Sequence, residues 1–271
     1  MKRPVASCPG VSVQQGGQRA VLRALPEEVP VALVFNGETQ AVMMASPCDL
    51  EDFAAGFALG EGIVQRIDQI EAIEVVTHDH GIEAQMELTP DAAKALHLRR
   101  RAMTGPVGCG LCGIDSLDQA IRPLPHLSGE LRLTHEAVAG ATEALRAHQP
   151  LHDQTHGTHA AGFLTADGTI ALVREDVGRH NALDKLIGAL ARTGIDPASG
   201  AMVLTSRVSV ELIQKAAFAG CPVLIAVSAP TALALRQADQ AGITLAAFAR
   251  GGGFDLYSHP HRIQTGATDV A

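Results

Sequence analysis

Two cysteines three residues apart, Cys109 and Cys112, stand in the segment GCGLCG, and the other three cysteines, Cys8, Cys48 and Cys221, are isolated. A Cys-x-x-Cys pair supports three chemistries. It is half of a tetrahedral zinc site, which then needs two more ligands. It is a dithiol for thiol–disulfide exchange, a role suited to a helix N-terminus in a thioredoxin-like βαβ unit. Or it is a sulfur relay, in which a thiolate attacks the outer sulfur of a partner's persulfide and carries that sulfur on an exposed arm. No histidine has the spacing to complete a zinc set, and a Gly/Pro loop rather than a clear strand precedes Cys109. Gly105, Gly108, Gly110 and Gly113 add little bulk, so the sequence predicts an exposed loop and accessible thiols.

A second set of candidate residues follows three apolar runs in the C-terminal half. The runs end in Thr205-Ser206-Arg207-Val208-Ser209, in Ser228-Ala229-Pro230-Thr231 and, after Phe248, in Ala249-Arg250-Gly251-Gly252-Gly253. In an open α/β sheet, ligands bind beyond the carboxyl ends of the strands. Helix-start amides there favour an anion, and Arg207 and Arg250 would add charge-assisted bonds to a phosphate. Ordinary turns and helix caps want the same Ser, Thr and Gly residues, so that reading stands beside the first. No GxxxxGK[ST] segment is present, which removes a P-loop.

Two further clusters stand out. His152, His156 and His159 lie in HDQTHGTH, where Gly157 and the polar neighbours predict a loop. His152 and His156 are expected to be solvated or hydrogen-bonded, and His159, leading into a strand, to face the site. Residues 175–181, EDVGRHN, gather more polar groups at a strand-to-helix junction than a cap needs, which predicts a functional cluster.

The elements that must position these residues are readable from periodicity. Strands at 29–35 and 39–45 join at Asn36-Gly37, and strands at 70–77 and 82–88 turn at His80-Gly81. Between them, Ser46-Pro47 is expected to open a helix carrying Phe53, Phe57 and Ile63 inward. Short helices are expected at 91–98, ahead of Arg99-Arg100-Arg101, and at 114–121. In the second half, Thr134 caps a helix reaching about His148, and a hairpin at 160–164 and 169–173 turns at Asp167-Gly168. Helices at 181–191, 210–219 and 231–241 then alternate with strands at 201–204, 223–227 and 243–248, the pattern of βαβ units and a parallel sheet. The fold class is therefore α/β, with an α+β N-terminal part. Pro123 and Pro125 mark the expected break: a flexible tail over 1–24, a smaller hairpin/helix domain over 25–125 ending in the cysteine loop, and an α/β domain over 126–271.

Composition bounds the function. With 271 residues, 46% hydrophobic and 18% charged, the chain is long enough for a proper core and too apolar to be disordered. Aromatics are only 3% and Trp is absent, so base-stacking platforms are missing, and a net charge of −8 disfavours a nucleic-acid backbone. The most apolar stretch, 221–235, is short and broken by Pro222 and Pro230, so no membrane span is expected. The N-terminus lacks the apolar stretch of a secretory signal, and an odd, uneven cysteine set suits reduced thiols in the cytoplasm.

The ordered set GCGLCG, THAAG (158–162), EDVGRHNALDKLIG (175–188), TSRVSVELIQKAA (205–217), AVSAPTALA (226–234) and FARGGG…YSHPHR, with VPVALVFNGETQAVMMASPCDLEDFAAGFALGEGI (29–63), resembles the FdhD family of formate dehydrogenase accessory sulfurtransferases over about residues 25–262. The resemblance implies a cytoplasmic, homodimeric sulfur carrier. It would take sulfur from a cysteine desulfurase as a persulfide on Cys109, with Cys112 assisting. It would pass that sulfur to the molybdenum cofactor, as bis-molybdopterin guanine dinucleotide, before insertion into the formate dehydrogenase catalytic subunit. The family's cofactor segment falls on Phe248-Ala249-Arg250-Gly251-Gly252-Gly253, with Ser206, Arg207, Ser228 and His159 expected around it. The C-terminal half would be cytidine-deaminase-like. Two departures matter. The usual segment ends in Pro-Gly-Arg, so a cation at 253 is missing here. The His-x-Glu and Pro-Cys-x-x-Cys deaminase zinc signature is also absent, so neither deamination nor a structural metal is expected.

Overall fold

The structure, a computed structural model, describes residues 3–103 and 122–264. Cys109, Cys112 and the helix expected at 114–121 lie outside the described residues. Seven α-helices are present among those described.

The chain begins with two paired strands, β1 (Val5–Gln14) and β2 (Gly17–Pro26), where a flexible tail is expected over 1–24. Residues 5, 7, 9, 11 and 13 of β1 share one face with their partners on β2, and Val11, Val13 and Leu22 on it are exposed. The period-two pattern was present in the sequence, but Pro9, Gly10 and Gly16-Gly17 mask it.

The two expected N-terminal hairpins form: β3 (Val29–Phe35) with β4 (Glu38–Ala45), and β5 (Ile70–His78) with β6 (Gly81–Leu88). They join through a parallel β3–β6 pairing into a sheet of order β4-β3-β6-β5. Helix α1 spans Leu50–Gly60, starting four residues after Ser46. Ser46 does not cap it, because the buried Ser46 amide and hydroxyl bond instead to Asp176 and to the Val177 amide. Asp49, at φ 52°, turns the chain into the helix. Helix α2 spans Pro90–Met103, longer than expected because it continues through the basic run.

In the second half, α3 (His135–Arg146) starts at the expected Thr134 cap, whose hydroxyl accepts from the Ala137 amide. Where a His-rich loop is expected, Pro150–Thr155 forms a short helix, α4. Two-residue strands β7 (Leu133–Thr134) and β14 (Ile263–Gln264) pair beneath α3. The main sheet contains β8 (His159–Thr165), β9 (Ile170–Asp176), β10 (Gly200–Leu204), β11 (Val223–Ala226), β12 (Thr244–Arg250) and β13 (Gly253–Ser258) in the order β13-β12-β11-β10-β8-β9. It is mixed rather than parallel: β10, β11 and β12 run parallel, whereas β8, β9 and β13 are antiparallel to their neighbours. The hairpins at both ends of the βαβ run cause this.

Side chains on the central strands alternate between two apolar layers, as sheets covered on both faces require. Ala201, Val203, Val223, Ile225 and Ala246 pack under α3, while Met202, Leu204, Leu224, Ala226 and Leu245 face the opposite side. That side is covered by α5 (Arg179–Thr193), α6 (Val210–Phe218) and α7 (Ala232–Gln240). The second layer continues without a break into the N-terminal half, taking in Phe53 and Phe57 of α1 and Leu33, Ala84 and Met86 of the four-stranded sheet.

The join is a helix crossing between α1 and α5, with Gly56 and Gly188 at the contact. A Cβ on Gly56 would lie 1.6 Å from the Asp184 carbonyl oxygen, and one on Gly188 would lie 1.8 Å from that of Asp52. Only backbone motion relieves such overlap. Gly56→Ala or Gly188→Ala is therefore expected to cost about 3 kcal/mol of stability, at the upper end for core overpacking. Urea unfolding measures it, and a loss below about 1 kcal/mol for both variants would contradict the crossing.

Candidate functional site

The mixed pairing of the main sheet brings five chain segments to one edge. The carboxyl ends of β10, β11 and β12 lie there because those strands are parallel. β8 runs opposite to β10, so its first residues lie there too, and β9 runs back to the same edge, pairing Asp176 with His159. A groove of about 560 Å³ opens at this edge, lined by His159, Val177, Thr205, Val227, Arg250 and Gly251 on the sheet side. Its other wall is α3, α4 and the turn after α4, with Glu143, Arg146, His152 and His156 facing the groove. This volume suits a small organic ligand, for which sites span roughly 300–1,000 Å³.

The turn after β12 is shaped by its backbone. Ala247 pairs with Asp255 and Arg250 with Gly253, so Phe248 and Ala249 stand opposite a single residue of β13. This bulge places Phe248 in the left-handed region at φ 52°, a conformation unusual for a bulky residue. Gly251 and Gly252, at φ 60° and 77°, then close a tight hairpin. An added Cβ at Gly251, Gly252 or Gly253 meets no atom within 4 Å. The turn is thus a bare strip of backbone beside the exposed Arg250, open to an approaching anion.

Of the expected site residues, the structure places His159, Arg250 and Gly251 on the groove. The Thr205 hydroxyl accepts from the Ala160 amide at 2.9 Å and lies 3.5 Å from His159 Nδ1. Burial, then the charge of Arg179, lowers the His159 pKa below its usual value, so this imidazole is neutral near pH 7. Ser206, Arg207 and Ser228 are not among the groove residues. The Ser206 hydroxyl donates to the Arg207 carbonyl at 2.9 Å, the Arg207 side chain is exposed, and the Ser228 carbonyl receives the Phe248 amide at 3.5 Å. Ala249 points into the core under α3.

The EDVGRHN segment positions the groove walls. Glu175 accepts from the Leu151 and His152 amides at 2.8 and 2.7 Å and from the Thr158 hydroxyl at 3.2 Å, which fixes the start of α4. Buried Asp176 accepts from the Ser46 amide, the Gly178 amide, Asn181 Nδ2 and Lys185 Nζ, at 2.9, 2.8, 3.0 and 2.7 Å. Lys185 is equally buried and also donates to the Ser46 carbonyl at 3.0 Å. These bonds tie the β4–α1 connection to the sheet edge, and removing one partner of such a pair costs about 3–5 kcal/mol.

A family model described as the FdhD/NarQ family matches residues 26–264. The chain belongs to the FdhD/NarQ family. Among relatives of this FdhD/NarQ chain, a protein named sulfur carrier protein FdhD from Agrobacterium fabrum (strain C58) is 51% identical over 253 residues, covering 93% of each chain. One of the same name from Cupriavidus necator is 52% identical over 238 residues, covering 88% of this chain and 83% of that one. The fold matches a crystal structure from Desulfotalea psychrophila described as a formate dehydrogenase accessory protein, with a TM-score of 0.74, 24% identity and coverage of 96% and 99% of the two chains.

Sequence reasoning about this family member missed Glu143 and Arg146, which lie on the polar side of an amphipathic helix and look like ordinary surface. It also set aside His152 and His156, which line the groove because the segment is helical. Among the described residues, no group of three or more His, Cys, Asp or Glu is placed to hold a metal ion, and no helix is long and apolar enough to cross a membrane.

His180, in the same FdhD/NarQ segment, lies 3.3 Å from the Ser209 hydroxyl through Nε2. Burial, then Arg179, pushes its pKa down to about 4 from 6.5. Between these values the unfolded chain binds a proton that the folded chain does not, so the His180 contribution is present above pH 6.5 and is lost as pH falls toward 4. The stability of wild type relative to His180→Gln should therefore fall between pH 7 and pH 5 in urea titrations. A difference independent of pH would contradict the burial.

Proposed function

We propose that this chain is a cytoplasmic sulfurtransferase that carries sulfur from a cysteine desulfurase to the molybdenum cofactor, as bis-molybdopterin guanine dinucleotide, for a formate dehydrogenase catalytic subunit. The observation that carries the reading is the groove at the sheet edge. Its open Gly251–Gly252 turn, Arg250 and Arg146 suit the phosphates of a dinucleotide, in a chain whose relatives are named sulfur carriers. The cofactor is the substrate here. Arg250 and the turn amides would hold its phosphate, and neutral His159 would offer a hydrogen bond without adding charge.

Sulfur enters through Cys109. Its thiolate attacks the outer sulfur of the donor's persulfide, the donor S–S bond breaks, and the donor cysteine leaves as a thiolate. Cys109 then bears the persulfide. Attack of the Cys112 thiolate on Cys109 Sγ releases the outer sulfur as sulfide for the metal and leaves a Cys109–Cys112 disulfide, which a dithiol reductant returns to two thiols. The family resemblance also carries a homodimeric state into this reading.

Mass spectrometry of the intact protein after incubation with a cysteine desulfurase and cysteine tests the donor half. The expected result is a gain of one sulfur atom on the peptide containing Cys109 and Cys112, absent in Cys109→Ala. In a complementation assay, Cys109→Ala is expected to abolish formate dehydrogenase activity. An unchanged mass, or full activity in the variant, would overturn the reading.

A further inference from the structure

The β1–β2 ribbon and the four-stranded sheet each leave one face uncovered. Pro9, Val11 and Val13 of β1 share a face with Ala20 and Leu22 of β2, and Val11, Val13 and Leu22 are 63%, 74% and 69% exposed. The base of the ribbon is held, because the Glu27 amide donates to the Pro4 carbonyl at 2.9 Å. The apolar residues lie farther out, toward the turn at 15–16, so the ribbon stands as an arm. Contiguous exposed apolar side chains of this kind mark an interaction surface.

On the four-stranded sheet, one rung runs through Val42, Ala32, Glu83 and Val76 from β4 to β5, and Pro30 pairs with Met44 beside it. Side chains alternate along a strand, so these residues face away from Leu33, Ala84 and Met86 of the core. Val42 and Met44 are 53% and 49% exposed. This outer face is divided lengthwise. Pro30, Ala32, Val42 and Met44 form an apolar strip on β3 and β4, and Glu74, Glu83 and Glu87 form an acidic strip on β5 and β6.

The arm is divided in the complementary sense. Residues 1–26 carry Lys2, Arg3, Arg19 and Arg23, and all 29 acidic residues of the chain lie after them. Arg19 and Arg23 are exposed on β2, beside the apolar residues of β1. With β1 laid over the apolar strip of β3 and β4, β2 lies over the acidic strip. The long Arg stems then reach round the narrow ribbon to Glu74 and Glu83. Within one chain the two faces do not cover each other, since both are exposed.

We propose that the β1–β2 arm of one chain lies on the outer face of the four-stranded sheet of a second copy, which returns the contact about a two-fold axis. The inference rests on the homodimeric state in the reading above and assigns its interface. Two-fold exchange closes the assembly and leaves neither face open. A ribbon of two ten-residue strands is about 33 Å long and about 10 Å wide, so the two contacts bury at most about 1,300 Å², within the range of stable interfaces. Apolar contact supplies the attraction, and the opposed charges fix which face is chosen and in which direction the arm lies.

Analytical ultracentrifugation of the full-length protein over a concentration series tests the assignment. Wild type is expected to sediment with the mass of two chains. Arg19→Glu with Arg23→Glu in the arm, and separately Glu74→Lys with Glu83→Lys on the sheet, are each expected to weaken self-association about a hundredfold or more, because like charges then meet. Mixed in equal amounts, the two variants are expected to regain the wild-type dimer, since each arm then meets a sheet of opposite charge. That recovery also shows that both variants are folded. If wild type is dimeric and either variant self-associates with wild-type strength, the arm contact is overturned while the homodimer itself stands. If both variants are monomeric and their mixture stays monomeric, the pairing of arm with sheet is overturned. If wild type is monomeric throughout, the arm face serves a different partner and the assignment falls with the homodimer, while the mass test on Cys109 still judges the sulfur-carrier reading.

Discussion

The approach of α1 to α5 at Gly56 and Gly188 is the contact on which the rest of the molecule depends. With no side chain on either glycine, the two backbones meet, and everything on either side inherits that spacing. It sets the four-stranded sheet against the helices of the main sheet in one continuous apolar layer. It also brings the polar ends of the helices together. Gly60 of α1 leaves room for the buried Asp184 carboxylate, which receives Lys215 Nζ at 2.8 Å. Lys215 in turn reaches Glu61 at 2.8 Å, and Arg122 closes the set through the Glu61 carboxylate at 2.9 Å. Burial dominates at Asp184 and raises its pKa to about 6, whereas Lys215 and Arg122 hold Glu61 below its usual value despite its burial. The charges are stabilised as a network because Asp184 and Lys215 are buried and each carboxylate accepts from a cation at 2.8–2.9 Å.

The groove is a product of sheet topology more than of any one motif. In a fully parallel sheet, β8 would begin at the far edge and His159 would be remote from Arg250. Reversal of β8 against β10 puts its first residue beside the ends of three parallel strands. The second wall depends on Glu175, whose carboxylate captures the first amides of α4 and so orients a helix of six residues that would not persist alone. Acidic residues at the end of β9 thus act on the site through the elements they hold.

Much of this was legible in the sequence where a local rule decides the outcome. Asn36-Gly37 and Asp167-Gly168 marked hairpins, Thr134 marked a helix start, and the alternation of apolar runs after residue 178 marked the helices and strands of the main sheet. The failures are equally physical. Ser46-Pro47 looked like a helix start, but Asp176, 130 residues away, takes the Ser46 amide, a demand that no local pattern records. Phe254-Asp255-Leu256-Tyr257 alternates as a strand does, yet no strand was expected beyond 248, because the three glycines before it read as a loop rather than as the turn leading into β13. Glu143 and Arg146 were invisible because a helix face exposed to a groove and one exposed to solvent have the same composition.

The three glycines after Arg250 are not equivalent, and the difference bears on how such chains diverge. Gly251 and Gly252 occupy positive φ, where other residues are strained, whereas Gly253 does not and has open space around its α-carbon. Selection can therefore place almost any side chain at 253 while the hairpin stays intact. A cation placed there would be an addition laid on an unchanged backbone. A single codon change can therefore add or remove a charge at 253 without disturbing the hairpin that presents it.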